Sequence, residues 1–469
     1  MADLCYYRNL AELVAEGKVS GKVIDESARR ILRLKFRLGL FERPYVRASG
    51  PEERFTFPED LKTVGSLAEE SMVLLKNNGV LPLGEKPGKI ALIGPMAKDL
   101  WGQICSWGGH PLAKDVVTLY RAMCDEFGEN SVLYARGCDF DGDDRSGFAE
   151  ALDVAARSDV IVLCLGELPQ WSGENGIRST LALPGIQESL ALELKKTGKP
   201  LVLLLNNGRP LELCRLEPVS DAILELWQPG ISGGGPAAGI LSGRINPSGK
   251  LAITFPYSTG QIPIYYDRRR TSRPFMGHYK DIPKEPMYRF GHGLSYSNFV
   301  YGDIRKVSDS PLVFEVDVTN DSPRDGKETV HWYVRDPVCS VTRPYKELKF
   351  FEKRLIRSGA TETFRFEVDK LRDLGYIDAT GDRHFEPGLF EILVSGKKLD
   401  VTSNSPWRPN DSQSMNIPPL LPPVSSRRRG DHYPHCQLLG RHDNDLLLMI
   451  QAPPICFICG KPKFGSGRL

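Results

Sequence analysis

The sequence predicts an α/β sandwich, a mostly parallel sheet with helices on both faces, followed by a small β-sandwich. Between residues 64 and 256, runs that are apolar throughout, such as "SDVIVLCLGE" and "KPLVLLLNNG", alternate with helical stretches such as "LPGIQESLALELKKTG". Such runs are typical of parallel strands that helices cover on both faces. From about residue 310 to 400 the pattern becomes an alternation of apolar and polar residues, as in "LVFEVDV". That alternation predicts half-buried strands.

The composition limits the classes of partner. A chain of 469 residues with 41% hydrophobic content can bury more than one core, so we expect two or three domains. Its 61 basic and 59 acidic residues give a net charge of +2, which favours neither nucleic acid nor an anionic membrane. No apolar stretch approaches the roughly 20 residues of a membrane span, and the first residues lack the features of a signal peptide. We expect no nucleic-acid or membrane partner, and the localisation stays open.

The first segment is predicted to be the end of a larger domain. The stretch "VIDESARRILRLKFRLGLF" has apolar residues at near-helical spacing with arginines and lysines opposite, and it stops at Gly39. A helix with such a wide apolar face needs a partner surface. Since nothing before it supplies one, we expect residues 1–45 to be the last helix of an amputated domain.

The other boundaries follow from composition. Residues 60–256 form the predicted α/β domain and residues 301–400 the β-sandwich. Residues 257–300 between them are rich in proline, glycine and aromatics, too apolar for a disordered tether, so we expect an ordered linker. Residues 401–469 have the composition of a disordered tail.

The chemistry centres on one carboxylate in "PQWSGENGIRST". Glu174 has a glycine before it and Asn-Gly after it, which allows a sharp bend that presents the side chain. Trp171 and Trp107 offer flat apolar faces of the kind on which sugars stack. A general acid for glycoside hydrolysis needs such surroundings, because they raise a carboxyl pKa. The alternative is that Glu174 is a solvated loop charge. Glu167 ends the preceding apolar run.

These residues carry a resemblance. "SGENGIRSTLALPGIQESL", "LKKTGKPLVLLLNNGRPLEL", "INPSGKLAITFPYSTGQIPIYY", "YRFGHGLSYSNF" and "VRDPVCSVTRPYKELKFFEK" follow one another as in the C-terminal two-thirds of family 3 glycoside hydrolases, the β-glucosidase type. The resemblance covers roughly residues 5 to 400. It implies a TIM-like barrel, of which residues 1–45 hold the last helix, then the α/β sandwich, then a fibronectin type III-like domain. The tail at 401–469 departs from the family.

The resemblance also implies a reaction and its residues. It points to retaining hydrolysis of terminal β-linked sugars, with an oligosaccharide or glycoside as substrate and no cofactor or metal. The acid/base glutamate of the family falls on Glu174, with Glu167 the lesser candidate. Trp107 and Arg178 match family positions and are the implied substrate-binding residues, although both suit a structural role equally well. Trp171 is a third substrate-binding candidate, on the ground of its flat apolar ring alone. The nucleophile of the family is an aspartate on a barrel strand, which these residues do not include.

Two other function classes remain open. The α/β and β-sandwich domains could form a noncatalytic carbohydrate-binding or interaction module, and the chain could form a homo-oligomer. Nucleotide binding through "GISGGGPAAG" is weaker, since its spacing matches no phosphate-binding motif. A lone "CFIC" in the tail has zinc-ligand types, but a single C-x-x-C there is usually accidental.

Overall fold

The computed structural model describes residues 4–45, 58–109, 113–269 and 279–403. It begins with two helices, α1 (Cys5–Ala15) and α2 (Gly21–Arg37). The Ser20 hydroxyl accepts a hydrogen bond from the Lys22 N–H and so caps α2. No residue of α1 or α2 is buried.

A six-stranded sheet is the centre of the α/β domain. The strand order is β1-β6-β5-β4-β2-β3, in which β1 runs antiparallel to β6 and the other neighbours pair in parallel. This arrangement confirms the predicted fold class. The strands are β1 (Val73–Asn77), β2 (Ile90–Ile93), β3 (Val132–Ala135), β4 (Val160–Gly166), β5 (Leu201–Asn206) and β6 (Ala222–Glu225), and the helices are α3 (Pro58–Ser71), α4 (Leu119–Phe127), α5 (Phe148–Ala156), α6 (Gln187–Lys195) and α7 (Gly234–Ser242).

Each face of this sheet has its own hydrophobic core. Successive side chains of a strand point to opposite faces, so neighbours in β5 contribute to different cores. Leu204 packs in one core with Met123 of α4 and Ile240 of α7. Leu203 packs in the other core with residues of α5 and α6, such as Leu190. Every residue of β4 and β5 is buried for this reason.

The second domain is a β-sandwich. Residues Phe314, Val316 and Val318 are buried while Glu315 and Asp317 between them are not, as the alternating pattern predicts. The two sheets enclose a core around the buried ring of Trp332. One sheet contains β7 (Phe299–Tyr301), β8 (Arg305–Asp309), β9 (Leu312–Asn320) and β12 (Thr361–Val368); the other contains β10 (Gly326–Arg335), β11 (Glu347–Ile356), β15 (Gly388–Val394) and β16 (Lys397–Ser403); β13 (Tyr376–Ile377) and β14 (Arg383–His384) form a separate pair.

The connection between the domains contacts the α/β domain through its backbone. Phe255 and Tyr288 form an isolated antiparallel bridge, and the Leu294 N–H donates to the Leu74 carbonyl of β1 at 2.8 Å. These contacts favour an ordered linker over 257–300, which stays a prediction because part of that range is outside the described residues. Of the predicted disordered tail, 401–469, the first three residues are instead the end of β16, because they pair with β15. The rest of that range, with its C-x-x-C, lies outside the described residues. None of the helices in the described ranges is long and apolar enough to cross a membrane.

The apolar face of α2 leads to a prediction about association. Ile31, Leu34 and Leu38 share one face and are 57%, 54% and 64% exposed. Exposed apolar patches of this kind drive association. We expect the chain to self-associate and to bind a hydrophobic dye, as measured by light scattering and dye fluorescence.

The double substitution Ile31→Glu/Leu34→Glu should reduce both the light scattering and the dye fluorescence. Arg33→Glu, at a position that is already charged, should leave both signals nearly unchanged. A wild-type chain that is a monodisperse monomer and binds no dye would contradict this prediction.

Candidate active site

The loops that follow β4, β5 and β6 meet at one edge of the sheet. These three strands are parallel neighbours, so their carboxyl ends lie side by side. Glu167 follows β4 directly, Asn207 follows β5, and Trp227 comes two residues after β6. Ligands of open α/β sheets bind at this edge. The loop with Glu174 therefore lies where a site is expected.

The backbone around Glu174 bends sharply and presents its side chain. Gly173 has φ = 86° and Asn175 has φ = 65°. These left-handed conformations suit glycine, and asparagine is among the residues that tolerate them best. The Glu174 side chain between them is exposed. The loop thus holds a carboxylate at its tip.

A second loop, residues 101–109, supports this bend. The Ser106 hydroxyl donates to the Ser172 carbonyl at 2.8 Å. A Cβ atom at Gly173 would lie 2.1 Å from Ser106 Oγ and 2.8 Å from Trp107 Nε1, so only glycine fits there. Trp107 is therefore adjacent to the residue before Glu174, and 67% of its surface is exposed. An apolar ring thus lies beside the carboxylate.

Glu167 is buried beneath the loop and bound by two arginines. Its side chain is 0% exposed, with Oε1 2.5 Å from Arg178 Nη1 and Oε2 3.2 Å from Arg209 Nε. The same arginines donate to backbone carbonyls of the loop, Arg178 to Ala182 and Arg209 to Gly176, both at 2.9 Å. We call Glu167, Arg178 and Arg209 the Glu167 clamp. It ties the sheet edge to the loop that carries Glu174.

Trp171 joins the same assembly. The Arg178 guanidinium lies over the Trp171 ring, 5.6 Å from its centroid, in a cation–π contact. The structure thus brings all five sequence-predicted residues to one loop and its supports. Glu174 and Trp107 are exposed there, Trp171 and Arg178 are half-buried, and Glu167 is enclosed. Their catalytic and binding roles stay predictions.

Sequence reasoning missed Arg209 and Ser106. Arg209 lies in "NNGRP" directly after β5, the strand next to β4. The sequence places an arginine just after one strand and a carboxylate just after its neighbour. This arrangement could have predicted the ion pair between Arg209 and Glu167. Ser106 carried no comparable signal, because its partner Ser172 lies 66 positions away in a loop.

A second carboxyl is buried at this edge. Burial raises the pKa of Glu225 to about 8, although the Trp227 N–H and the Asn207 amide donate hydrogen bonds to it. The Glu225 side chain is therefore mostly protonated at neutral pH.

Among the residues that the structure describes, no group of three or more histidine, cysteine, aspartate or glutamate side chains could hold a metal ion.

Replacement of Glu225 by glutamine should make the protein less sensitive to alkaline pH. The carboxyl binds its proton more tightly in the folded state, so wild-type stability falls as the pH rises from the unfolded value near 4.5 through about 8. The neutral amide has no such loss. We expect the stability difference in favour of Glu225→Gln to grow by roughly 4 kcal/mol between pH 5 and pH 9. Denaturant unfolding across that range measures it, and parallel pH profiles would contradict it.

Family models match most of the described domains. Residues 72–296 match the glycosyl hydrolase family 3 C-terminal domain, and residues 328–398 match the fibronectin type III-like domain. A periplasmic beta-glucosidase of Salmonella typhimurium is 36% identical over 86% of this chain and 58% of the relative. A beta-xylosidase of Formosa agariphila is 34% identical over 85% of this chain and 57% of that relative.

Solved structures agree with these matches. The crystal structure of a beta-glucosidase from Listeria innocua in complex with isofagomine has a TM-score of 0.79 and 36% identity, over 86% of this chain and 58% of that one. The chain thus spans somewhat more than half the length of these three relatives. The chain belongs to glycoside hydrolase family 3, and its described residues include the C-terminal α/β domain and the fibronectin type III-like domain of that family.

Proposed function

We propose that this chain is the acid/base part of a β-glucosidase-like glycoside hydrolase, with retaining hydrolysis of terminal β-linked sugars. Glu174 donates a proton to the departing glycosidic oxygen and then takes a proton from the water that completes the reaction. The single observation that supports this most is the position of Glu174. It lies exposed at the tip of a braced loop, on the sheet edge where ligands bind.

The surrounding residues suit an acid in this role. A sugar stacked on Trp107 or Trp171 would exclude water from the Glu174 carboxyl. The Glu167 clamp holds the loop that carries Glu174 against the sheet edge. The proposal therefore assigns Glu174 to catalysis, Trp107 and Trp171 to the sugar, and Glu167, Arg178 and Arg209 to positioning.

The nucleophile is the other half of the reaction. A retaining hydrolase needs a second carboxyl about 5 Å from the first. The family resemblance implies an aspartate on a barrel domain, and we propose that such a domain supplies it. The experiments below use a fusion in which this chain follows the barrel domain of a family member. We call this fusion the completed protein.

The test compares the 469 residues by themselves with the completed protein. We expect the chain alone to hydrolyse aryl β-glucosides at close to the uncatalysed rate and the completed protein to hydrolyse them at a rate typical of enzymes, since covalent catalysis and oriented binding need both parts. The assay is release of the aryl group. Strong activity of the chain alone would contradict the division of roles. A folded completed protein that binds glucosides but does not cleave them would favour the noncatalytic module.

A further inference from the structure

A separate cavity lies where the linker meets the β-sandwich. Its volume is about 490 Å³, and its lining shares no residue with the Glu174 loop. Five cationic side chains line it: Arg268, Arg269, Lys284, Arg289 and Lys346. The first four belong to the linker and the last to the loop before β11. This is a local concentration of positive charge in a chain whose net charge is only +2.

The positive charge of the cavity is poorly balanced. Among the lining residues that the structure describes, Glu285 is the single carboxylate, and it pairs with Arg289 at 3.1 Å. Arg268, Arg269 and Lys284 form no ion pair within the described parts of the chain. Cations gathered in a concave site create a potential that attracts anions, and guanidinium groups bind oxyanions through two parallel hydrogen bonds.

The cations also affect one another. Burial, and secondarily the charge of Arg289, lowers the pKa of the Lys346 ammonium. Its Nζ lies over the Tyr333 ring at 4.2 Å, so an aromatic face and not a carboxylate contacts it. A bound anion would offset this repulsion.

Aromatic residues form the rest of the wall and hold it in place. The Tyr266 ring stacks on Phe290 with centroids 4.2 Å apart, and the Tyr266 hydroxyl accepts a hydrogen bond from the Leu348 N–H. The Tyr345 N–H donates to the Arg268 carbonyl at 2.9 Å, which joins the linker to the β-sandwich. Tyr265 in the lining is 63% exposed.

We propose that this cavity binds an acidic saccharide, a sugar with a sulfate or carboxylate group. The oxyanion contacts the cationic side chains and the sugar ring lies against the exposed ring of Tyr265. The cations alone call for an oxyanion, and the choice of a sugar as its carrier rests on the proposed function. The site is independent of Glu174, so its occupancy can be measured as binding without any hydrolysis.

The experiment measures binding to the full chain by calorimetry at fixed ionic strength. The probes are a monosulfated glucose disaccharide, the same disaccharide without sulfate, inorganic sulfate and a short single-stranded oligonucleotide. We expect the sulfated disaccharide to bind most tightly. The double variant Arg269→Gln/Lys284→Gln should weaken it on the order of 10-fold. The matched variant Arg365→Gln/Lys306→Gln, which removes the same charge from the exposed surface of the β-sandwich, should bind as the wild type does.

Four results would overturn the proposal. They are equal affinity for the two disaccharides, affinity for inorganic sulfate as high as for the sulfated disaccharide, an unchanged affinity in the cavity variant, and no binding of any probe. If the oligonucleotide bound more tightly than the sulfated disaccharide, and the cavity variant lost that binding, the site would be assigned to nucleic acid instead. Because hydrolysis is not measured, an inactive completed protein would leave this result unaffected.

Discussion

Glutamine in place of Glu174 is expected to slow the hydrolysis of β-glucosides with poor leaving groups by about 10²- to 10⁴-fold in the completed protein, the usual contribution of general acid catalysis. An alkyl or sugar leaving group departs slowly unless its oxygen receives a proton. The glutamine side chain has nearly the same size but cannot supply that proton. The loop should keep its fold, because Glu174 is exposed at the tip.

The leaving group distinguishes acid catalysis from a general loss of structure. Activated aryl glucosides depart with little protonation, so their glycosylation step should slow much less than that of alkyl glucosides. Steady-state kinetics with both substrate types measure the difference. Glu85→Gln, at another exposed loop carboxylate, should leave both rates unchanged. Full activity of Glu174→Gln would move the acid role to Glu167 or to another residue.

The pattern of apolar and polar residues predicted the fold class, because the burial of a strand on one or both faces repeats regularly along the strand. The unbroken apolar run at β4 indicates a strand covered on both faces, and all seven of its residues are buried. The alternation through Phe314, Val316 and Val318 likewise reflects one buried face. The number and order of strands in the sheet came from the resemblance and the structure, since pairing joins segments far apart in sequence.

The candidate site was predictable only in part. The glycines beside Glu174 marked a bend, and the bend is present because Gly173 has a positive φ and no room for a side chain. The burial of Glu167 was not predictable, since Arg209 reaches it from 42 positions away. A carboxylate at a strand end could equally have pointed into a site. Only the structure shows that both of its oxygens face arginines.

Loss of the Glu167 carboxylate should therefore lower the free energy of unfolding, and any effect on turnover should follow from that loss of structure. In Glu167→Ala, Arg178 and Arg209, with side chains only 16% and 17% exposed, would keep their charges without their carboxylate partner. Removing one member of a buried pair typically destabilises a protein by about 3–5 kcal/mol. Denaturant unfolding should show a loss of that size. Glu26→Ala removes a carboxylate from an exposed pair with Arg30, and it should cost about 1 kcal/mol or less.

Catalysis in the completed protein separates the positioning role of Glu167 from a chemical one. A positioning residue acts through the loop, so Glu167→Gln, which retains one oxygen acceptor for the clamp, should recover part of both stability and turnover. The pH dependence of turnover should keep its shape, because Glu174 still provides the proton. The leaving-group preference should also stay as in the wild type, in contrast to Glu174→Gln. If Glu167→Ala instead kept its stability within about 0.5 kcal/mol, a change typical of surface substitutions, and lost turnover of alkyl glucosides selectively, then Glu167 would be the acid and the clamp would not explain its burial.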